Sequence, residues 1–308
     1  MPLKIAITGS SGLIGSVVQD YFAKKGHQIT LIIRPRTPIK FNRRVIHWDI
    51  DKKEIDVRGL EGQDAVVHLS GVNLAEKRWS KEFKEEIKES RLQSTRFLAG
   101  SLARLSKPPK IFLSASAIGF YGSLKHNDEI NEMSPKGDSF LSEVCELWEK
   151  STEPVKNVVP RTVHMRFGMV LARGGALSKM LPIFKLGLGG KIADGRQMMS
   201  WVSINEIPLI MEYLLSSPGI SGAVNFVSPN PVLNAEFTKA LGDVLHRPAL
   251  LPVPRFAVRA MFGQMADELL LANARVMPRK LLEAGYKFSY PDLKSALELI
   301  LNKKTHHT

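Results

Sequence analysis

Short apolar runs alternate with stretches of helical periodicity through the first half of the chain. Lys4–Ile7, Ile29–Ile33, Val45–Trp48, Ala65–Leu69 and Ile111–Ser114 predict strands. Between them, Leu13–Lys25 and Lys81–Leu105 carry apolar residues at helical spacing. Alternating strands and helices imply βαβ units and a parallel sheet. The strands are apolar along their whole length, which suits a sheet covered on both faces.

The second half is less regular. Leu141–Ser151 predicts a helix, and Val163–Val170, Ser200–Ser203 and Val224–Val227 predict strands. Asn234–Leu245 reads as a helix with Asn234 as its N-cap. Pro252 and Pro254 interrupt the chain before a mostly helical end. The expected class is α/β: a Rossmann-type, doubly wound parallel sheet with a smaller, mostly helical C-terminal region. Residues 1–175 would form the nucleotide-binding domain, its sheet completed by a strand from 222–228. Residues 176–308 would supply the substrate region.

The sharpest motif is Thr8-Gly9-Ser10-Ser11-Gly12-Leu13-Ile14-Gly15, between the first strand and the first helix. That context makes a glycine pattern a dinucleotide site. Gly9 permits the tight turn, Gly12 lets backbone approach a pyrophosphate, and Gly15 allows close helix–strand packing. Amides of Ser11, Leu13 and Ile14 would then face the phosphates at the helix N-terminus. After the second strand comes Ile33-Arg34-Pro35-Arg36. An acidic residue here would favour NAD through the ribose 2′-hydroxyl. Arginine favours the 2′-phosphate of NADP(H), which it can grip bidentately.

Composition changes this picture little. A formal charge of +13 suits a surface that attracts phosphates, or simply a basic one. Lysines and arginines are scattered, and no zinc-finger or RNA-binding signature accompanies them, so no nucleic acid is expected as a partner. The single cysteine, Cys145, allows no internal disulfide, in keeping with a cytoplasmic protein. Ile5–Ile7 is too short for a secretory signal, and no apolar run of about 18 residues exists, so no membrane is expected, as a span or as a partner. The terminal pair His306-His307 reads as solvated, and no metal is expected. The expected partner is an unknown small-molecule substrate, bound by a monomer or a homodimer.

Longer matches place the chain in a family. Thr8–Gly15, His68-Leu69-Ser70-Gly71, Lys77-Arg78-Trp79, Ser114–Gly122 and Arg166–Leu171 resemble the epimerase-family proteins of the atypical short-chain dehydrogenases. So do Pro182–Gly190, Ser200-Trp201-Val202, Asn225–Pro229 and Pro278–Gly285, the last in their C-terminal domain of unknown function. The resemblance covers nearly the whole chain. It implies NADP binding, with contacts carried over to Arg34, Leu69, Ser70, Glu86, Arg91 and Val170. Glu86 also suits a surface salt bridge with a nearby lysine.

Short-chain dehydrogenases use a serine after the fifth strand and a Tyr-x-x-x-Lys pair on the next helix. The i, i+4 spacing puts tyrosine and lysine on one face. Here that helix reads Phe140-Leu141-Ser142-Glu143-Val144-Cys145-Glu146-Leu147-Trp148-Glu149, without tyrosine or lysine before Lys150. Tyr21 and Lys25 have the spacing but sit in the first helix. Tyr121 and Lys125 have it in a segment that reads as loop. The remaining catalytic candidates are Ser116 with Tyr121, then Glu143 and Glu146. Cys145 reads as buried and structural, and His68 as packed at a strand end. The Gly187–Gly190 run suits a lid or plain packing, and Trp201 suits ring stacking or packing. The expected activity is that of an NADP-dependent oxidoreductase or epimerase on an unknown small molecule, with a nucleotide sugar as the first candidate. The rival is a non-catalytic NADP(H) sensor or partner-binding protein.

Overall fold

The computed structural model describes residues 1–35, 37, 43–124 and 128–302. Arg36, Lys125 and the His306-His307 pair, all singled out above, lie outside them. The first half contains β1 (Lys4–Thr8), α1 (Leu13–Lys24), β2 (Gln28–Ile33), β3 (Arg44–Asp49), β4 (Glu54–Ile55) and α2 (Val57–Leu60). It continues with β5 (Ala65–His68), α3 (Lys81–Leu102), β6 (Ile111–Ala117), β7 (Glu129–Ile130) and α4 (Phe140–Lys150). The second half contains β8 (Arg161–Phe167), β9 (Met169–Leu171), α5 (Gly175–Lys185), β10 (Met198–Met199), β11 (Trp201–Ser203), α6 (Ile207–Ser216) and β12 (Gly222–Phe226). It ends with β13 (Val232–Leu233), α7 (Asn234–Leu245), α8 (Arg255–Phe262), β14 (Arg275–Val276), α9 (Arg279–Glu283) and α10 (Leu293–Asn302).

Among the described residues, eight strands form the main sheet in the order β12-β8-β6-β5-β1-β2-β3-β4. All its pairings are parallel except β3 with β4. Two apolar layers clamp it, as the unbroken apolar strands require. Ile5, Ile7 and Leu113 pack with Val18 and Phe22 of α1 on one face. Ala6, Val66 and Phe112 pack with Leu98 and Leu102 of α3 on the other. Each fully buried aliphatic side chain contributes about 1.5–3 kcal/mol. The ends of α3 and α4 follow from local chemistry. Ser80 Oγ accepts the Phe83 N–H at 3.2 Å and Ser139 Oγ accepts that of Ser142 at 3.2 Å.

Several expectations needed correction. The strand expected over Val163–Val170 breaks at Gly168, and β9 leaves the main sheet to pair with β11. A Cβ on Gly168 would stand 2.6 Å from Val227 Cγ1 and 2.7 Å from the Ser200 carbonyl oxygen, so only glycine fits the crossing. Asn234 is the first residue of α7 rather than its N-cap, and its carboxamide oxygen accepts the Ile192 N–H at 2.8 Å. The Phe120–Tyr121 segment is not loop but part of a 3-10 turn over Ile118–Tyr121. The glycine run after α5 is packed in place. Leu251 N–H donates to the Gly189 carbonyl at 3.1 Å, and a Cβ on Gly190 would meet Leu251 O at 1.8 Å. The two halves of the chain interleave, since β7 pairs with β14.

Candidate cofactor and active site

The sheet order reverses at β1. From there the chain runs outward through β2 and β3, then returns to β5 on the other side and continues through β6, β8 and β12. A parallel sheet opens a crevice at such a point, beyond the strand C-termini. The Gly9–Gly15 loop lies there. Gly9 takes φ +65°, where a Cβ would stand 2.7 Å from the Leu69 carbonyl. A Cβ on Gly15 would stand 2.2 Å from the Gly9 carbonyl oxygen. Thr8 Oγ1 accepts the Leu69 N–H at 3.0 Å, which joins β1 to the start of the Leu69-Ser70 segment.

The N-terminus of α1 is open. Its N-cap is Gly12, without a side chain to accept a hydrogen bond, and its first turn contains no acid. The first-turn amides therefore have no side-chain cap, and the helix dipole concentrates positive charge there. Ser11, Gly12 and Leu13 face solvent. Gly174, just before α5, overhangs the loop, since a Cβ there would lie 2.9 Å from Leu13 Cδ1. A cradle that excludes side chains, over uncapped amides, fits a pyrophosphate.

The other expected contacts divide. Arg34 stands exposed just after β2. Leu69 and Ser70 follow β5 directly against Gly9. Val170 lies in β9 and pairs with Val202 of β11. Arg91, on α3, is only 8% exposed. Its guanidinium donates to the carbonyls of Ile87 at 2.8 Å and Val72 at 2.9 Å, and lies 5.0 Å from the centroid of the Trp148 ring. Burial pulls its pKa down to about 10. No carboxylate pairs with it among the described residues. Glu86 instead pairs with Lys77 at 3.2 Å on the surface.

The expected catalytic hydroxyls occupy a different setting. Ser116 Oγ, at the end of β6, donates to Glu149 Oε1 at 2.7 Å. Arg166, from β8, meets the same carboxylate twice, Nε to Oε1 at 2.7 Å and Nη2 to Oε2 at 2.8 Å. Arg166 Nη1 also donates to Tyr121 Oη at 2.9 Å, and Tyr121 Oη donates to Asn225 Oδ1 at 2.8 Å. The Arg166 guanidinium lies 3.5 Å from the centre of the Phe120 ring. Asn225 N–H in turn donates to Glu132 Oε1 at 3.0 Å. Ser116 and Tyr121 are each 2% exposed. Burial raises the Tyr121 pKa despite the opposing Arg166 charge. The structure thus brings Ser116 and Tyr121 into one network, but every polar end in it already has a protein partner.

Other candidates fall away from this centre. Glu143 lies 4.0 Å from Lys88, and Glu146 pairs with Lys136 and Lys150, both on the outer face of α4. Cys145 is buried, which pushes its thiol up to about 12. Trp201 is buried and its indole N–H donates to the Asn230 carbonyl at 3.0 Å, so it is not free to stack on a ligand. Tyr21 donates to Glu212 of α6 at 2.5 Å. His68 is wholly buried between Thr8 Oγ1 at 2.8 Å and Thr95 Oγ1 at 2.9 Å.

A family model for the NAD dependent epimerase/dehydratase family matches residues 5–139, and one for the domain of unknown function DUF1731 matches residues 253–300. The epimerase family protein ML0860 of Mycobacterium leprae is 40% identical over 95% of this chain and 94% of its own length. The chain belongs to the epimerase family. Within it, the crystal structure of human epimerase family protein SDR39U1 (isoform 2) with NADPH is 33% identical. It superposes with a TM-score of 0.87, over 97% of this chain and 99% of that one. A nucleoside-diphosphate sugar epimerase from Corynebacterium glutamicum is 35% identical with a TM-score of 0.78, and the match spans 98% of this chain but 58% of that longer one.

In this epimerase-family chain, sequence reasoning missed Glu149, Arg166 and Asn225. A signal for Glu149 existed. Leu141, Val144, Cys145 and Trp148 mark the inner face of α4, and Glu149 is four residues beyond Cys145. Glu143 and Glu146 lie on the opposite side of that phase.

Proposed function

We propose that the chain binds NADP(H) along the C-terminal edge of its sheet and uses it as an oxidoreductase or epimerase acting on a small molecule. One observation carries the binding: the uncapped N-terminus of α1 under a glycine loop with no room for side chains. The pyrophosphate lies over the amides of Leu13 and Ile14, and Arg34 takes the 2′-phosphate. Leu69, Ser70 and Val170 line the remainder through backbone groups. Arg91 supplies a buried positive charge beside Gly71. Support comes from the human relative solved with NADPH. The cofactor supplies the hydride when bound. Ser116, at the end of β6, and Tyr121, in the turn that follows, are the candidate hydroxyls, and they reach a substrate only by exchanging their present partners. The name of the Corynebacterium glutamicum relative makes nucleotide sugars the first substrates to try.

A second reading is a non-catalytic NADP(H) sensor. It is favoured by α4, whose sequence holds no tyrosine and whose sole lysine pairs with Glu146. One experiment separates the two. Titrate the protein with NADPH calorimetrically, then offer the complex a panel of carbonyl compounds and nucleotide sugars. Consumption of NADPH or appearance of an epimer supports the enzyme. Stoichiometric binding without turnover supports the sensor. Absence of binding removes both.

A further inference from the structure

Most of the large apolar side chains that face solvent fall in two neighbouring segments, 183–188 and 250–261. Leu186 is 74% exposed and Leu250 82%, with Ile183, Leu188, Leu251 and Phe256 also exposed. The segments lie side by side. Arg247 Nε donates to the Lys185 carbonyl at 3.0 Å, Leu251 N–H to that of Gly189 at 3.1 Å, and Val253 N–H to that of Lys191 at 2.9 Å. Clustered apolar side chains of this size on a surface mark an interaction site.

Within the two segments the charges share one sign. Residues 183–191 contain Lys185 and Lys191 and no acid, and residues 246–259 contain Arg247, Arg255 and Arg259 and no acid. Arg259 is paired with Asp267 at 2.8 Å, whereas Lys185, Lys191, Arg247 and Arg255 face solvent. A second copy placed on this face would bring like charges together. Each of these apolar side chains is at least half exposed, which suits insertion between lipids.

We propose that this face docks on an anionic lipid surface, with Leu186 and Leu250 inserting and the surrounding lysines and arginines meeting the headgroups. Such contact is peripheral, because among the described residues no helix is long and apolar enough to cross a membrane. It is independent of the cofactor reading, since none of these side chains belongs to the site above.

The test is co-sedimentation of the full chain with vesicles of phosphatidylcholine alone and of an equimolar phosphatidylcholine–phosphatidylglycerol mixture. The expected result is binding to the mixed vesicles only. L186S/L250S, which keeps every charge, should bind them at least about tenfold more weakly. Its fold is checked by circular dichroism and by thermal unfolding. Unchanged binding by the double variant assigns the effect to net charge alone and overturns the proposal. So does equal binding to both vesicles, or binding to neither. A concentration-dependent dimer that the variant abolishes, without vesicle binding, overturns it in favour of a second copy.

Discussion

Two regions at the same edge of one sheet are built on opposite principles. Around the end of β1 and the start of α1, positive groups meet no carboxylate among the described residues: the α1 amides lack a side-chain cap, Arg34 stands exposed, and the buried Arg91 donates only to the carbonyls of Ile87 and Val72. Around β6, α4 and β8, one network is closed: Ser116, Glu149, Arg166, Tyr121 and Asn225 satisfy one another. Uncapped amides at a helix N-terminus and cations without a carboxylate partner together favour an anion. A closed network instead holds its members in place. The contrast supports the proposed binding at the first region more strongly than chemistry at the second.

The largest effect should come from opening the closed region. Glu149→Ala strips Arg166 of its carboxylate while leaving the guanidinium buried. Loss of one partner from such a pair costs about 3–5 kcal/mol. Urea unfolding should show that loss, and the NADPH affinity of the folded variant should stay within about twofold of wild type. The double change Glu149→Leu with Arg166→Met should recover part of the stability, because no unpaired charge remains. A parallel collapse of cofactor binding would show that the two regions act as one.

Filling the open region should do the reverse. Gly15→Ala places a methyl group 2.2 Å from the Gly9 carbonyl oxygen, so loop and helix must separate. Overpacking of this kind costs about 1–3 kcal/mol of stability. It should also remove measurable NADPH binding in a calorimetric titration, since the loop no longer sits on the α1 amides. Binding retained at wild-type strength would displace the cofactor from this loop.

The two regions differed in how far they could be read from sequence, for a physical reason. Turn, cap and helix start in Thr8–Gly15 are local, so the glycine spacing and its flanking periodicities were enough. The α4 network joins residues far apart in the chain: Ser116 and Glu149 are separated by 33 positions, Tyr121 and Asn225 by 104. No local pattern encodes such a pairing, and the wrong glutamates, Glu143 and Glu146, were singled out. The break at Gly168 is also non-local, set by the approach of Val227 and Ser200. Trp201 illustrates the same limit, because its burial depends on a partner carbonyl at Asn230.

His68 connects the two regions. One ring nitrogen meets Thr8, beside the glycine loop, and the other meets Thr95, which also accepts the indole N–H of Trp148 on α4 at 2.9 Å. Burial pulls its pKa from 6.5 down to about 3. The folded protein thus holds the ring neutral while the unfolded chain protonates it below pH 6.5. Its contribution is therefore complete above that pH and is lost as pH falls from 6.5 towards 3, by about 1.4 kcal/mol per pH unit. Stability measured against pH should steepen by that amount in the wild type relative to His68→Asn. Equal slopes would mean that the ring is protonated in the folded state.

The smallest expected effect is the most specific one. Arg34 is exposed at the end of β2, so its removal should leave stability nearly unchanged. Its proposed partner is the one group that distinguishes NADPH from NADH. Arg34→Ala should therefore lower the affinity for NADPH by about tenfold, or roughly 1.4 kcal/mol, and leave that for NADH unaltered. Calorimetric titrations with both nucleotides give the ratio directly. An unchanged ratio would falsify the assignment of Arg34, while the glycine loop would keep its role in binding the pyrophosphate common to both. The open region would then recognise a dinucleotide without choosing between the two, and its selectivity would have to come from a residue other than Arg34.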